Sequence, residues 1–396
     1  MSQRSESLEQ FAIDVILERR HGVRAALLRA LLYGLSFIYE RLVQLRLYLY
    51  RHRILREHTL GCLVISIGNL TVGGTGKTPI VEKFARAMRA GGRRVAILSR
   101  GYKSVPRPSP RKWWNVFGKK EPLPPRIVSD GKSLLLDSLT AGDEPYMLAN
   151  NLKDVIVLVD KDRVKSGLFA IRELKADTLL LDDGLQYLHL KHRLDIVLID
   201  RQAPFGNEHL LPRGTLREPP RNLRRASYIF ITKSTGEPND ELIKRIRRYN
   251  RTAEIIECAH KPLHLQNVLT GAELPLDRLR DTYVGSICGI AAPESFEDGL
   301  RKLGARLELS KRYTDHHRYT EAELNSFISR CVRRDIEMIV TTEKDAVRFP
   351  RLPKTDVPIC FLRVEIEILS GHESWEHCVA RICQPQPLLS PERFFA

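Results

Sequence analysis

The sequence predicts an α/β protein: a larger domain on a mostly parallel sheet, a second, smaller α/β domain after it, and an amphipathic helix ahead of both. Three observations predict this. Short apolar runs of strand length recur from residue 64 onward, at 95–99, 155–159, 178–182, 195–200 and 228–232, separated by helical or loop segments. That rhythm is the signature of a sheet covered on both faces. The first run opens into a glycine-rich loop and then a helical pattern. Ahead of it, within residues 24–56, leucines repeat at spacings of three and four. At 396 residues the chain can hold two domains with sizeable cores.

Residues 24–56 come first in chain order. Leu28, Leu31, Leu35, Ile38, Leu42, Leu45 and Leu49 fall on one helical face. Arg24, Arg29, Arg41, Arg46, Arg51, Arg53 and Arg56 supply positive charge. The longest stretch without a charge, residues 30–39, is far below the roughly 18–20 residues that span a bilayer. Two readings stand. One is an interfacial helix with its apolar face in the headgroup boundary and its arginines on lipid phosphates. The other is a helix packed on the protein's own core or in a short coiled coil.

The glycine-rich loop lies in Val64-Ile-Ser-Ile-Gly-Asn-Leu-Thr-Val-Gly-Gly-Thr-Gly-Lys-Thr-Pro79. Glycines let backbone N–H groups curl around an anion, and a helix N-terminus adds its positive dipole end. Lys77 is placed to reach the outer phosphates and Thr78 to ligate Mg²⁺. The segment therefore predicts a P-loop NTPase domain binding ATP through Thr71, Val72, Gly73, Gly74, Thr75, Gly76, Lys77 and Thr78, with Mg²⁺ as its ion. Thr71 stands where the loop signature has its first glycine. Ile80, Val81, Phe84, Ala85 and Met88 then share a helical face, which Gly91-Gly92 closes before the strand at 95–99.

Thr178-Leu-Leu-Leu-Asp-Asp-Gly184 is an apolar strand ending in two carboxylates. In a P-loop fold such a strand lies beside the loop strand and points its terminal acid at the metal, so Asp182 and Asp183 are the candidate metal residues. Further polar clusters stand at Ser99-Arg100-Gly101-Tyr102, Gly142-Asp143-Glu144-Pro145, Gly214-Thr-Leu-Arg217-Glu218-Pro219, Thr314-Asp315-His316-His317 and Thr341-Thr-Glu-Lys-Asp345. A kinase needs a base or positioning group, metal carboxylates and cations, and these clusters can supply all three.

The balance of 64 basic against 48 acidic residues, a net charge of +16, suits phosphates, an anionic membrane surface or nucleic acid. Seven cysteines without a Cys-x-x-Cys pair read as reduced thiols. Cys258, His260 and His264 match no standard zinc spacing. Residues 106–125 carry Trp113 and Trp114 among lysines, arginines and six prolines, which suits a headgroup anchor, a lid, base stacking or a plain surface loop.

Taken in order, residues 73–79, 99–102, 142–145, 182–186, 217–218, 315–316 and 341–345 resemble the tetraacyldisaccharide 4′-kinase family over roughly residues 60–349. The resemblance implies an enzyme that transfers phosphate from ATP to the 4′-hydroxyl of a tetraacylated glucosamine disaccharide 1-phosphate, a lipid A precursor. It implies that Asp143 acts with His316 on that hydroxyl, that Lys77 and Arg217 sit on the phosphates, and that Thr78, Asp182, Asp183 and Glu218 lie near Mg²⁺. Gln186 follows the family's Asp-Asp-Gly-x-Gln pattern, whereas Tyr187 stands where the family usually has histidine.

The expected organisation is a membrane-associated helix at 1–58, the P-loop domain at 59–237, a smaller α/β domain at 238–353 with strands at 283–287 and Met338–Thr342, and a segment at 354–396 that returns to the first domain. The active site is then expected in an interdomain cleft, with closure bringing His316 to Asp143. The expected location is the cytoplasmic face of the inner membrane, peripheral or monotopic, on an anionic lipid surface and without nucleic acid. The competing readings are a regulatory ATPase of the partitioning or metal-delivery kind, which usually has lysine where this chain has Val72, and a nucleic-acid-dependent ATPase, for which no recognisable module is present.

Overall fold

The structure, a computed structural model, describes residues 3–102, 104–105, 123–350, 352 and 355–384. The tryptophan-bearing stretch at 106–125 lies outside the described residues, apart from 123–125. The chain forms two compact units. One comprises residues 1–77, 177–259 and 368–396, and the other 78–176 and 260–367. This interleaving differs from the linear division expected at 237 and 353. Parallel strands need crossover connections, so sheet neighbours come from distant segments and a boundary drawn along the sequence cuts through them.

In the first unit the strand Leu63–Asn69 runs parallel to Thr178–Asp182 on one side and Leu194–Asp200 on the other, pairing Ile67 with Asp182 and Asn69 with Leu198. Tyr228–Thr232 follows beside Leu194–Asp200, and the start of Glu254–Asn267 beside that, again parallel. Every residue of Leu63–Asn69, Thr178–Asp182 and Tyr228–Thr232 is buried. Burial on both faces is why these strands read as unbroken apolar runs. The helix His372–Cys383 belongs to this unit and sets Trp375 edge-on to Phe230, ring centroids 6.2 Å apart.

The first unit also carries the helix Val23–Arg51. Its apolar stripe faces outward: Leu31, Leu35, Ile38, Leu42 and Leu45 are all exposed. Its docked face is polar, with Ser36, Tyr39 and Gln44 bonded to the segment 210–222. The core-packed alternative is therefore excluded for that stripe. Among the described residues no helix is long and apolar enough to cross a membrane.

In the second unit Val95–Ser99 lies parallel to Ile156–Val159, which Arg126–Asp130 joins antiparallel. Tyr283–Cys288 sits between Arg306–Arg312 and Met338–Thr342, and Ile359–Ser370 follows, all parallel. The charged strand Arg306–Arg312 (RLELSKR) exposes most of its residues. It carries no apolar run for that reason and is not foreseen by hydrophobic pattern.

Candidate active site

The phosphate loop begins where the strand Leu63–Asn69 ends and stops where the helix Lys77–Ala90 starts, which places its backbone at a helix N-terminus. Gly73 (φ 111°) and Gly76 (φ 76°) adopt left-handed backbone that a side chain would disfavour. Ile80, Val81, Phe84, Ala85 and Met88 are buried, as their spacing predicts. The loop's organiser is Asn69, which the sequence reading missed. Its Nδ2 donates to Thr75 Oγ1 at 2.9 Å and Thr71 Oγ1 at 3.3 Å, and its Oδ1 accepts from Lys77 Nζ at 3.4 Å. Thr232 Oγ1 donates to Thr75 O at 3.0 Å. The missed signal was a fully buried amide ending an apolar strand, since a buried polar group is kept where it can bond.

Asp182 ends its strand beside Ile67, and Asp183 turns left-handed (φ 58°) just after it. This turn packs so closely on the loop strand that a Cβ at Gly68 would lie 2.7 Å from Leu185 Cβ. Arg217 grips Asp183 with both terminal nitrogens, at 2.8 Å each, and Lys77 Nζ stands 3.8 Å from the same carboxylate. Arg217 Nη2 also donates to Asn69 O at 3.0 Å. Its backbone N–H donates to Leu70 O at 2.7 Å, and Val72 N–H donates to Thr215 O at 2.8 Å, so the Arg217 segment is stitched to the entrance of the loop.

Asp182 and Asp183 offer the hard oxygen donors that Mg²⁺ prefers. Glu218, expected in that set, is committed elsewhere. Its carboxylate accepts from Arg225 at 2.7 and 2.9 Å, from Asn222 at 2.7 Å and from Gln186 at 3.1 Å. Among the described residues no three His, Cys, Asp or Glu side chains gather as a metal cage. Tyr187 turns back on Gly184, its N–H donating to Gly184 O at 2.7 Å.

The second unit brings Asp143 and His316 together, with His316 Nδ1 3.4 Å from Asp143 Oδ2. Both residues belong to one unit, so their meeting needs no closure between domains, contrary to the expectation. Asp143 opens the helix Asp143–Asn151 after Gly142, whose φ of 93° suits glycine. His316 is itself held left-handed (φ 65°), a conformation that clusters at functional sites. The Tyr102 ring meets the imidazole edge-on at 5.4 Å.

Arginines surround Asp143. Arg348 Nε donates to its Oδ2 at 2.7 Å and Arg318 Nη2 to its Oδ1 at 3.0 Å. Burial works to raise the Asp143 carboxyl, but the His316 hydrogen bond and the charges of Arg348 and Arg318 outweigh it and hold the group below the usual carboxylate range. Arg348 is aimed by Asp345 Oδ1 at 3.2 Å and Gly289 O at 3.0 Å. Asp345 is fully buried and accepts from Tyr319 and Gly289 N–H at 3.0 Å and from Thr342 at 2.6 Å. Lys344 Nζ stands 3.4 Å from His316 Nε2 and 3.3 Å from Glu144. Residues 341–345 thus carry the framework of this site. Arg348 and Arg318 went unnoticed in the sequence because lone arginines in a chain with 64 basic residues carry no signal.

A family model described as tetraacyldisaccharide-1-P 4′-kinase matches residues 28–384. The tetraacyldisaccharide 4′-kinase of Syntrophus aciditrophicus (strain SB) is 38% identical over 354 residues, covering 87% of this chain and 90% of that protein. The protein of the same name from Halothermothrix orenii is 34% identical over 358 residues, covering 87% and 89%. A crystal structure of LpxK from Aquifex aeolicus in complex with ATP aligns with a TM-score of 0.68 at 28% identity, covering 90% of this chain and 99% of that one.

Proposed function

We propose which residues carry the reaction in this chain, which belongs to the tetraacyldisaccharide-1-P 4′-kinase family and phosphorylates the 4′-hydroxyl of a tetraacyldisaccharide in lipid A biosynthesis. Family membership removes the regulatory ATPase reading. Two observations carry the residue assignments: in one unit a lysine-tipped phosphate loop braced by Asn69, and in the other an aspartate–histidine pair clamped by arginines.

The loop N–H groups and Lys77 hold the ATP phosphates, and Arg217 adds a second cation beside Lys77. Asp182, Asp183 and Thr78 would hold Mg²⁺, which would supply charge neutralisation on the phosphates. Glu218 fixes Gln186 and Arg225 in place of a metal role. In the transfer, the 4′-oxygen bonds to the γ-phosphorus, the bond to the β-phosphate oxygen breaks, ADP leaves, and the hydroxyl proton passes to the Asp143–His316 pair. Asp143 is a weak base, because its carboxyl lies below the ordinary range. The loose transition state of phosphoryl transfer tolerates that, since positioning and charge neutralisation dominate. His316 orients Asp143 and shares the proton.

We also place the helix Val23–Arg51 on an anionic bilayer surface, at the cytoplasmic face where ATP is available. Its outward leucines support this reading, and Arg41, 4.7 Å over the Phe37 ring, sets a cation beside that face. Lipid phosphates rather than nucleic acid then account for the basic charge. Transfer of ³²P from γ-labelled ATP to the tetraacyldisaccharide 1-phosphate tests the assignments, with Asp143→Ala and Lys77→Ala each expected to abolish labelling.

A further inference from the structure

The helix Val23–Arg51 does more than present an apolar face. On its opposite side Ser36 Oγ donates to Leu210 O at 2.8 Å and accepts from Arg213 N–H at 3.0 Å. Tyr39 OH donates to Arg217 O at 3.0 Å. Gln44 Nε2 donates to Asn222 Oδ1 at 3.2 Å, and Asn222 Nδ2 in turn donates to Glu218 at 2.7 Å. Each bond reaches the segment that carries Arg217 and Glu218, not some remote part of the unit.

We infer that Tyr39 is a positioning residue for the phosphate site, acting through Arg217. The Arg217 residue is fixed at three points. Its N–H is tied to Leu70 O at the mouth of the loop, its carbonyl to Tyr39, and its guanidinium to Asn69 and Asp183. The first tie sets the distance to the loop. The second sets the tilt of the residue about that tie, and thereby the direction in which the guanidinium leaves the backbone. A cation that must meet developing phosphate charge loses much of its effect when displaced by an ångström. A tyrosine hydroxyl on the helix therefore bears on the nucleotide site without touching nucleotide. The inference rests on the assignment of Arg217 to the phosphates.

Tyr39→Phe keeps the ring and its packing and removes only the hydroxyl. A neutral hydrogen bond is worth about 0.5–1.5 kcal/mol net, so kcat/KM for ATP is expected to fall about two- to tenfold. The KM for the lipid acceptor and flotation with vesicles stay unchanged. The test is a double-mutant cycle with Arg217→Ala, reading kcat and KM for ATP in mixed micelles beside the melting temperature. The expected result is that Tyr39→Phe costs nothing further once Arg217 is alanine. Additive losses, or a lowered melting temperature with unchanged ATP kinetics, would overturn the inference. An Arg217→Ala enzyme with wild-type ATP kinetics would instead remove the assignment of Arg217, and this inference with it.

Discussion

Arg348 holds Asp143: its Nε donates to Asp143 Oδ2 at 2.7 Å from a guanidinium with no exposed surface. The same guanidinium reaches Asp345, so a fully buried carboxylate aims the cation that holds Asp143. Removing one partner of such a buried pair strands the other charge, at about 3–5 kcal/mol. Arg348→Ala is expected to lower stability by that order and to abolish transfer. Arg348→Lys keeps a charge but not the fork, and is expected to fold while losing most of its kcat. Chemical denaturation and steady-state kinetics check both, and a lysine variant with wild-type kcat would separate the clamp from catalysis.

The same site sets a pH dependence. The folded protein holds the Asp143 carboxyl below its ordinary value of about 3.9. Its pairing therefore adds stability above that value, and this stability is lost as pH falls through the lower folded value. The stability gap between wild type and Asp143→Asn should be full at neutral pH and shrink in strongly acidic solution. Urea midpoints at several pH values measure it, and a gap that stays constant with pH contradicts the charge environment described.

Gly68 is a packing requirement of the loop strand. A methyl there meets Leu185 Cβ at 2.7 Å and Leu185 N at 2.9 Å. Gly68→Ala is expected to cost about 1–3 kcal/mol by overpacking. Because the displaced turn carries Asp183, KM for ATP should rise as well. Denaturation midpoints and ATP titration test the pair of effects together.

The outward stripe of the long helix makes a separable prediction. Ile38 and Leu42 are 55% and 59% exposed, so Ile38→Glu with Leu42→Glu should leave the melting temperature nearly unchanged. Flotation with phosphatidylglycerol vesicles should be lost, because the apolar face no longer enters the headgroup boundary. Variants that still float would place the membrane contact elsewhere.

Much of this was legible in the sequence, for physical reasons. Strands buried on both faces announce themselves as apolar runs, and all six read between residues 64 and 232 are present. The glycine loop declared its helix and its lysine. The leucine stripe was legible as a stripe, but which side faces solvent was not, because a periodic pattern does not say what covers it. The clusters around Asp143, His316 and residues 341–345 were legible as clusters, but the roles of Asp143 and His316 only through resemblance, since their contacts join positions 143, 316 and 348, far apart in sequence. Asn69, Arg318 and Arg348 were missed because single polar residues have no periodicity. The interleaved units escaped a linear reading because crossover connections return the chain to a sheet it has already left.

The most direct test of the central claim is transfer of ³²P from γ-labelled ATP to a tetraacylated glucosamine disaccharide 1-phosphate in detergent micelles, run with wild type, Lys77→Ala and Asp143→Ala. The assignments predict labelled lipid with wild type and none above background with either variant. Labelled lipid persisting at near wild-type rate in Asp143→Ala, or ATP hydrolysis by wild type without labelled lipid, would contradict them.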